Sequence, residues 1–190
     1  MMNQIRSHFI FNILNAISGM CKYDPEKADK TVVRFARYLR ANIDIMQDDQ
    51  PVSFRSDLRH VEDYVSLEQV RFGDQIRFVT DLTVEQFMIP PLILQPIVEN
   101  AIKHGLTPKP SGGTITLSTE KDEKNICVTV RDDGVGFDPA IAPSDKSVGL
   151  KNVRLRLQYM MRGSLDIASA PGQGTTVTIT IPREEAEQCG

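Results

Sequence analysis

The sequence of 190 residues contains no tryptophan, three cysteines and three histidines, and only 6% of it is aromatic. Each shortage excludes something. With few rings there is no stacking platform for bases, and a formal net charge of −3 without a long basic run leaves nucleic-acid binding with no electrostatic support. Cys21, Cys127 and Cys189 are odd in number and far apart. That pattern indicates neither a disulfide framework nor a zinc site, and fits reduced thiols in a cytosolic setting. No run approaches about 18 consecutive apolar residues, and no signal-peptide pattern is present. What remains is ordinary for a globular protein, 41% hydrophobic and 25% charged, with chain enough for one large domain or two small ones. The chain begins abruptly, Met1-Met2 and then a helical pattern, as a piece of something longer would.

Residues 4–21 hold no proline and predict one helix. Its polar residues Gln4, His8, Asn12 and Asn15 are spaced 4, 4 and 3 apart, which places them on one narrow stripe. Ile5, Phe9, Ile10, Ile13, Leu14, Ala16 and Ile17 fill nearly all the rest, so the helix should be buried over most of its circumference, with His8 on the wet edge. A histidine inside an apolar run is more often a satisfied core residue; the stripe points instead to a solvent-facing one. Asn12, one turn on, reads either as a polar partner of His8 or as a group that orients water. Asp24 before Pro25 reads as an N-cap followed by a first helical position. Ala28, Val32, Phe35, Ala36, Leu39, Ile43 and Met46 then form a coiled-coil-type seam. Two helices so joined make a hairpin, and doubling it into a four-helix dimer would bury both faces.

A further helix is expected over 55–72, with Leu58, Val61, Tyr64, Val65 and Phe72 inward, and then the character turns to mixed α/β. "IRFVTDL" (76–82) alternates as a strand. "PPLILQPIVENAIKHG" (90–105) predicts a helix entered through Pro90-Pro91 and ended by Gly105, with Pro96 tolerable only near a first turn. "TITLSTE" (114–120) with "NICVTVRDD" (125–133), and "SLDIASA" with "TTVTITIP" around "PGQG", predict two hairpins. Residues 134–149 read as a long irregular loop, of a length that is usually functional or disordered, 150–161 as a helix closed by Gly163, and "REEAEQCG" as a frayed tail. The division expected is 1–50 for the hairpin, 51–185 for the α/β unit and 186–190 for the tail.

Three signals stand in order in the second half: "ENAIKHG", "DDGVGFD" and "SVGLKNV". Glycines at strand ends and helix starts allow close backbone approach to a ligand, and a helix N-terminus after such a loop attracts phosphate. A buried carboxylate can accept from an exocyclic amine such as adenine's. The Asn100 amide oxygen suits Mg²⁺, a hard cation that shares phosphate oxygens. Together they describe a nucleotide site. Lys103 and Arg71 read equally well as surface or packing residues, His60 and His104 as structural or solvated, and Glu120, Asp122, Glu123 and Asp133 as solvated charges.

The three signals resemble the N, G1 and G2 boxes of the ATPase superfamily that includes gyrase, heat-shock chaperones, sensor histidine kinases and mismatch-repair proteins. Within it, "SHFIFNILNAI", "RYLRANI", "YVSLEQVRF", "PPLILQPIVENAIKHG" and "PGQGTTVTITIP" resemble sensor histidine kinases of the autolysin-sensor type, whose phosphoacceptor box reads close to Pro-His-Phe-Leu-Phe-Asn. The likeness runs from Gln4 to Pro182. It implies an α+β fold: a dimerising helical hairpin followed by an α/β sandwich with a mixed, mostly antiparallel sheet. It implies that His8 accepts phosphate from ATP and passes it to a response regulator, and that Asn12 assists. Asn100 would ligate Mg²⁺ with Glu99 nearby, Lys103 would reach a phosphate, and Asp132 would hold the adenine amino group. Gly134, Gly136, Ser147, Gly149 and Leu150 would shape pocket and lid, and Thr175 would close the adenine side. The resemblance also implies the cytoplasmic portion of a membrane sensor, the membrane reached only through segments upstream.

Three departures stand out. Ser7 replaces the proline before the histidine, Ser147 replaces the first glycine of the third box, and Phe9 follows the histidine where many kinases place an acid. Hydrolases of the superfamily place a water-activating Glu where this chain has Pro96, which favours a kinase. The alternatives are a nucleotide-binding regulatory module without autokinase activity and an ATP hydrolase.

Overall fold

The computed structural model describes residues 7–45, 50–138 and 148–187. Helix α1 (Ser7–Tyr23) and helix α2 (Pro25–Ile45) form the expected hairpin, with Asp24 as hinge and cap: its Oδ1 accepts from Lys27 N at 3.0 Å. A short strand β1 (Val52–Ser53) leads into α3 (Phe54–Phe72), capped by the Ser53 hydroxyl on Ser56 N and closed at Gly73. β2 (Ile76–Leu82), β3 (Met88–Ile89), α4 (Leu94–Asn100) and a π-turn (Ala101–Leu106) follow. β4 (Gly113–Lys121), β5 (Asn125–Asp132), α5 (Val148–Met161), β6 (Ser164–Ser169), β7 (Thr175–Pro182) and α6 (Arg183–Glu187) complete the chain.

The main sheet runs β2-β4-β5-β7-β6. Only β2 and β4 pair in parallel, so the sheet is mixed and mostly antiparallel, as expected. Alternation decides its faces. Ile115, Leu117, Ile126, Val128, Val130, Val177, Ile179 and Ile181 are buried, while Thr116, Ser118, Thr129, Thr176, Thr178 and Thr180 stay half-exposed on the reverse. The helices therefore cover one face only. Ile97, Val98 and Ile102 beside α4, with Val153, Leu157 and Met161 of α5, belong to the same core, which continues without a break into Phe9, Ile13, Ile17, Phe35 and Tyr38 of the hairpin.

Several expectations change. Helix α1 buries one face, Phe9, Ile13 and Ile17, while Phe11 is 64% and Leu14 48% exposed. On α2 the buried line is Ala28, Thr31, Phe35, Tyr38 and Asn42, one step round from the seam read in the sequence; Val32 and Ile43 face outward. Polar residues hid that line. Thr31 Oγ1 and Asn42 Nδ2 are satisfied by their own helix, donating to the carbonyls of Lys27 and Tyr38, so burying them costs little. Met46 and Gln4 lie outside the described residues. The helix expected from Pro90 starts at Leu94, with Pro96 in its first turn. Gly105 does not end it, because the chain widens into the π-turn and runs through Leu106. The C-terminus is not frayed up to Glu187: α6 buries Ala186 completely and pairs Arg183 with Glu187.

Candidate functional site

Asp132, Gly134, Gly136 and Thr175 come together at one end of the sheet. Asp132 is the last residue of β5, in register with Ile115 of β4 and Thr175 of β7. It is 3% exposed, and its Oδ1 accepts from Gly134 N at 2.9 Å. Burial pushes its carboxyl up, opposed by the backbone N–H groups of Gly134 and Thr175. The surroundings leave no room for side chains. A β-carbon on Gly105 would stand 2.6 Å from Asp132 Oδ1, and one on Gly134 would stand 2.4 Å from the Gly105 backbone. Val135 N then bonds to Gly105 O at 3.0 Å. Gly136 turns the chain at φ +60°, where a side chain would be strained and would strike the Ala170 carbonyl. The carboxylate is thus held at the floor of a cradle built of backbone.

Beside Asp132, across the register from β5 to β7 and β6, stands a hydroxyl pair. Ser169 Oγ donates to Gly174 O at 2.9 Å and accepts from Phe137 N at 3.0 Å. Thr175 Oγ1, 3.0 Å away, is then the donor to Ser169. Asp133 is not merely a solvated charge. Its Oδ1 accepts from Thr114 N at 2.9 Å and Lys109 Nζ reaches its carbonyl at 2.6 Å, so it pins the loop outside the cradle. Asp122 likewise caps its turn, accepting from Lys124 N and Asn125 N.

Glu99 and Asn100 end α4, both half-buried, and Lys103 is exposed on the π-turn. Thr107 N reaches back to Ile102 O at 2.8 Å, the wide hydrogen bond of such a turn. It swings Gly105 onto Asp132 and so ties this segment to the cradle. Gly149 and Leu150 lie in the first turn of α5, half-buried; Ser147 falls outside the described residues.

Sequence reasoning missed what holds α4 in place. Asp57 of α3, fully buried, accepts from Leu92 N at 2.7 Å and Leu94 N at 3.0 Å. It caps the helix from a distance and steadies Leu92, which has φ 53°. Burial pushes the Asp57 carboxyl up to about 6, despite those N–H groups and the charge of Arg156. Arg156 itself donates to Pro91 O at 2.8 Å. Nothing local marks Asp57, whose partners are more than thirty residues away.

A second unread network joins hairpin to α4. Gln95 Nε2 donates to Tyr38 Oη at 2.7 Å, and its Oε1 accepts from His60 Nε2 at 2.8 Å. The His60 ring stacks on Tyr38 with centroids 4.9 Å apart. Burial holds its pKa down and leaves Nδ1 without a partner among the described residues. Arg37 forms a bidentate pair with the buried Asp63, binding α2 to α3.

His8 and Asn12 occupy a different surface, on α1 where it packs against α2 and α3. His8 is exposed and its Nδ1 lies 3.0 Å from Asn12 Nδ2. Between them and the core, Phe9 packs its ring 5.4 Å from Tyr38 and 5.5 Å from Tyr64. The stripe is therefore real for His8, Asn12 and Asn15.

Comparison with known proteins gives the family of each half of the chain. The family described as Histidine kinase matches residues 1–76, and the family described as Histidine kinase-, DNA gyrase B-, and HSP90-like ATPase matches residues 91–185. The sensor histidine kinase YpdA of Escherichia coli (strain K12) is 35% identical over 191 residues, covering 96% of this chain and 33% of that protein. Sensor protein LytS of Bacillus subtilis (strain 168) is 31% identical over 199 residues, covering 97% and 33%. The chain thus spans about a third of these two relatives. Among solved structures, the histidine kinase domain of the Erythrobacter litoralis EL346 blue-light activated histidine kinase superposes with a TM-score of 0.59 at 17% identity, over 96% of this chain and 98% of that one.

Proposed function

The chain belongs to the histidine kinases, carrying a kinase helical region and an ATPase-type domain in one polypeptide, and from that premise we propose that it phosphorylates itself on His8 from ATP–Mg²⁺ and passes the group to an aspartate of a response regulator. The observation that carries this reading is the buried Asp132 in its glycine cradle, on the same chain as an exposed His8. Asp132 accepts from the adenine amino group while Thr175 lines the same side. Gly134, Gly136, Gly149, Ser147 and Leu150 shape pocket and lid, and Lys103 meets a phosphate. Asn100 and Glu99 offer adjacent oxygen donors of the hard kind that magnesium takes. When bound, the metal supplies charge neutralisation at the phosphates. The chain's own contribution is positioning, which is most of what phosphoryl transfer asks of a protein.

In this reading residues 1–50 form the phosphoacceptor hairpin and the ATP-binding unit begins at 51. The hairpin pairs with a second copy through its outward apolar residues, among them Phe11, Leu14, Val32, Val33 and Ile43. Among the described residues no helix is long and apolar enough to cross a membrane; the chain acts as the cytoplasmic portion of a sensor. Incubation with ATP labelled at the γ-phosphate gives acid-labile label on the protein, and His8→Gln removes it. Label that persists in that variant overturns the assignment, and free phosphate released without phosphoprotein points to a hydrolase.

A further inference from the structure

The residue after His8 is Phe9, buried among aromatic rings, so no carboxylate stands beside the acceptor in sequence. The group that does reach the His8 ring is the Asn12 amide, 3.0 Å from Nδ1 and one helical turn away. Building on the kinase reading, we propose that Asn12 sets the tautomer of His8 and so decides which ring nitrogen attacks the γ-phosphorus.

A neutral imidazole has one N–H and one lone pair, and the partner of one nitrogen fixes the role of the other. An asparagine amide carries a donor and an acceptor of nearly equal size, exchanged by a half-turn of its terminal group. With Nδ2 toward the ring, the amide donates to Nδ1, and the ring proton sits on Nε2. Neither nitrogen then has a free lone pair. With Oδ1 toward the ring, Nδ1–H donates to the amide and Nε2 holds the lone pair. Nε2 lies across the ring from Asn12, on an exposed side chain, where a phosphoryl group can approach. A half-turn of one amide therefore separates a resting acceptor from a competent one.

The step balances without a dedicated base. The Nε2 lone pair forms the N–P bond while the bond from the γ-phosphorus to the β,γ-bridging oxygen breaks, its electron pair leaving on ADP. Nδ1 keeps its proton through the transition state, held on Asn12 Oδ1. The phosphoimidazolium so formed then gives the Nδ1 proton to water. Asn12 takes no proton, so it acts as a positioning residue.

The experiment uses the whole chain with ¹⁵N-labelled histidine. In the resting protein the ring ¹⁵N shifts of His8 report the tautomer, and ³¹P–¹⁵N coupling after ATP treatment reports the phosphorylated nitrogen. The native chain should carry phosphate on Nε2. Asn12→Ala should leave the resting ring on Nε2–H with no partner to shift it, and slow labelling of His8 about tenfold, the worth of one hydrogen bond to the reacting ring, with ATP affinity unchanged. Asn12→Asp, whose carboxylate can only accept, should hold the ring on Nδ1–H even at rest and restore the rate. Phosphate on Nδ1, an unchanged rate in Asn12→Ala, or an aspartate variant as slow as the alanine one overturns the proposal. A native chain that takes no label on His8 overturns the kinase reading itself. Label on His8 that is indifferent to Asn12 leaves that reading standing and removes only this inference.

Discussion

The two reactive surfaces are built on opposite principles. At the proposed phosphoacceptor face His8 stands in solvent with Asn12 half-buried beside it, and large apolar residues behind them set their direction. At the proposed nucleotide face the Asp132 carboxyl is buried, and the absence of side chains on Gly105 and Gly134 makes the cradle. His8 needs Phe9 packed beneath it; Asp132 needs Gly105 and Gly134 with nothing on them. In the proposed reaction the group that meets the phosphate is carried on an exposed helix, and the group that recognises one edge of the nucleotide is immobilised. The difference teaches that volume acts in opposite directions at the two places: removing atoms should damage the first, adding them the second.

The comparison can be broken most forcefully at Phe9. Phe9→Ala should cost about 4 kcal/mol of stability by opening a cavity among Tyr38, Tyr64 and Phe35. It should leave ATP affinity close to native in whatever fraction stays folded. Denaturant melts alongside calorimetric titration with ATP measure both, and a parallel loss of affinity would show that the two surfaces are one cooperative site.

The pH dependence tests the frame beneath α4. The Asp57 carboxyl is raised from an ordinary value near 4 to about 6. Its stabilising contribution is fully present below the unfolded value and is lost as pH rises through about 6, a change of about 3 kcal/mol. Urea melts from pH 4 to pH 7 should show that slope, and Asp57→Asn should flatten it. A slope that survives the substitution would assign it to another carboxyl, with Glu68, also raised by burial, the first to examine.

Asp132→Ala sharpens the other side. Loss of the buried carboxyl should weaken ATP binding about a hundredfold while the hairpin keeps its helical signal. Smallest in effect on the single chain is Phe11→Ser, on the outward face of α1. It should change the stability of one chain by no more than about 0.5 kcal/mol, yet shift the dimer–monomer balance in sedimentation. An unchanged balance would move the dimer face elsewhere.

Much of this was legible from residue pattern. Helices α1 and α3 follow from apolar spacing, Asp24 and Pro25 mark the hinge, and the two hairpins follow from alternation between polar turns. The boxes around Asn100, Asp132 and Gly149 marked the segments from which the proposed nucleotide end is built. What escaped had a physical reason in each case. The buried line of α2 contains Thr31, Tyr38 and Asn42, polar residues whose hydrogen bonds stay within the hairpin or reach α3 and α4. The start of α4 depends on Asp57, and the joint to the hairpin on Gln95 and His60, all contacts distant in sequence. The π-turn at 101–106 differs from an ordinary helix by one residue of hydrogen-bond span, which no apolar period records. The parallel pairing of β2 with β4 needs a long crossover that alternation cannot announce.

The meeting of Gly105 and Gly134 also constrains how this protein can change. Most tight contacts in a folded chain can be renegotiated, one partner growing while the other shrinks. Here both partners are already the smallest residue there is. Neither position has a compensating neighbour to call on, so drift at one cannot be absorbed at the other. The floor of the cradle is a place where the sequence has no second solution within one step.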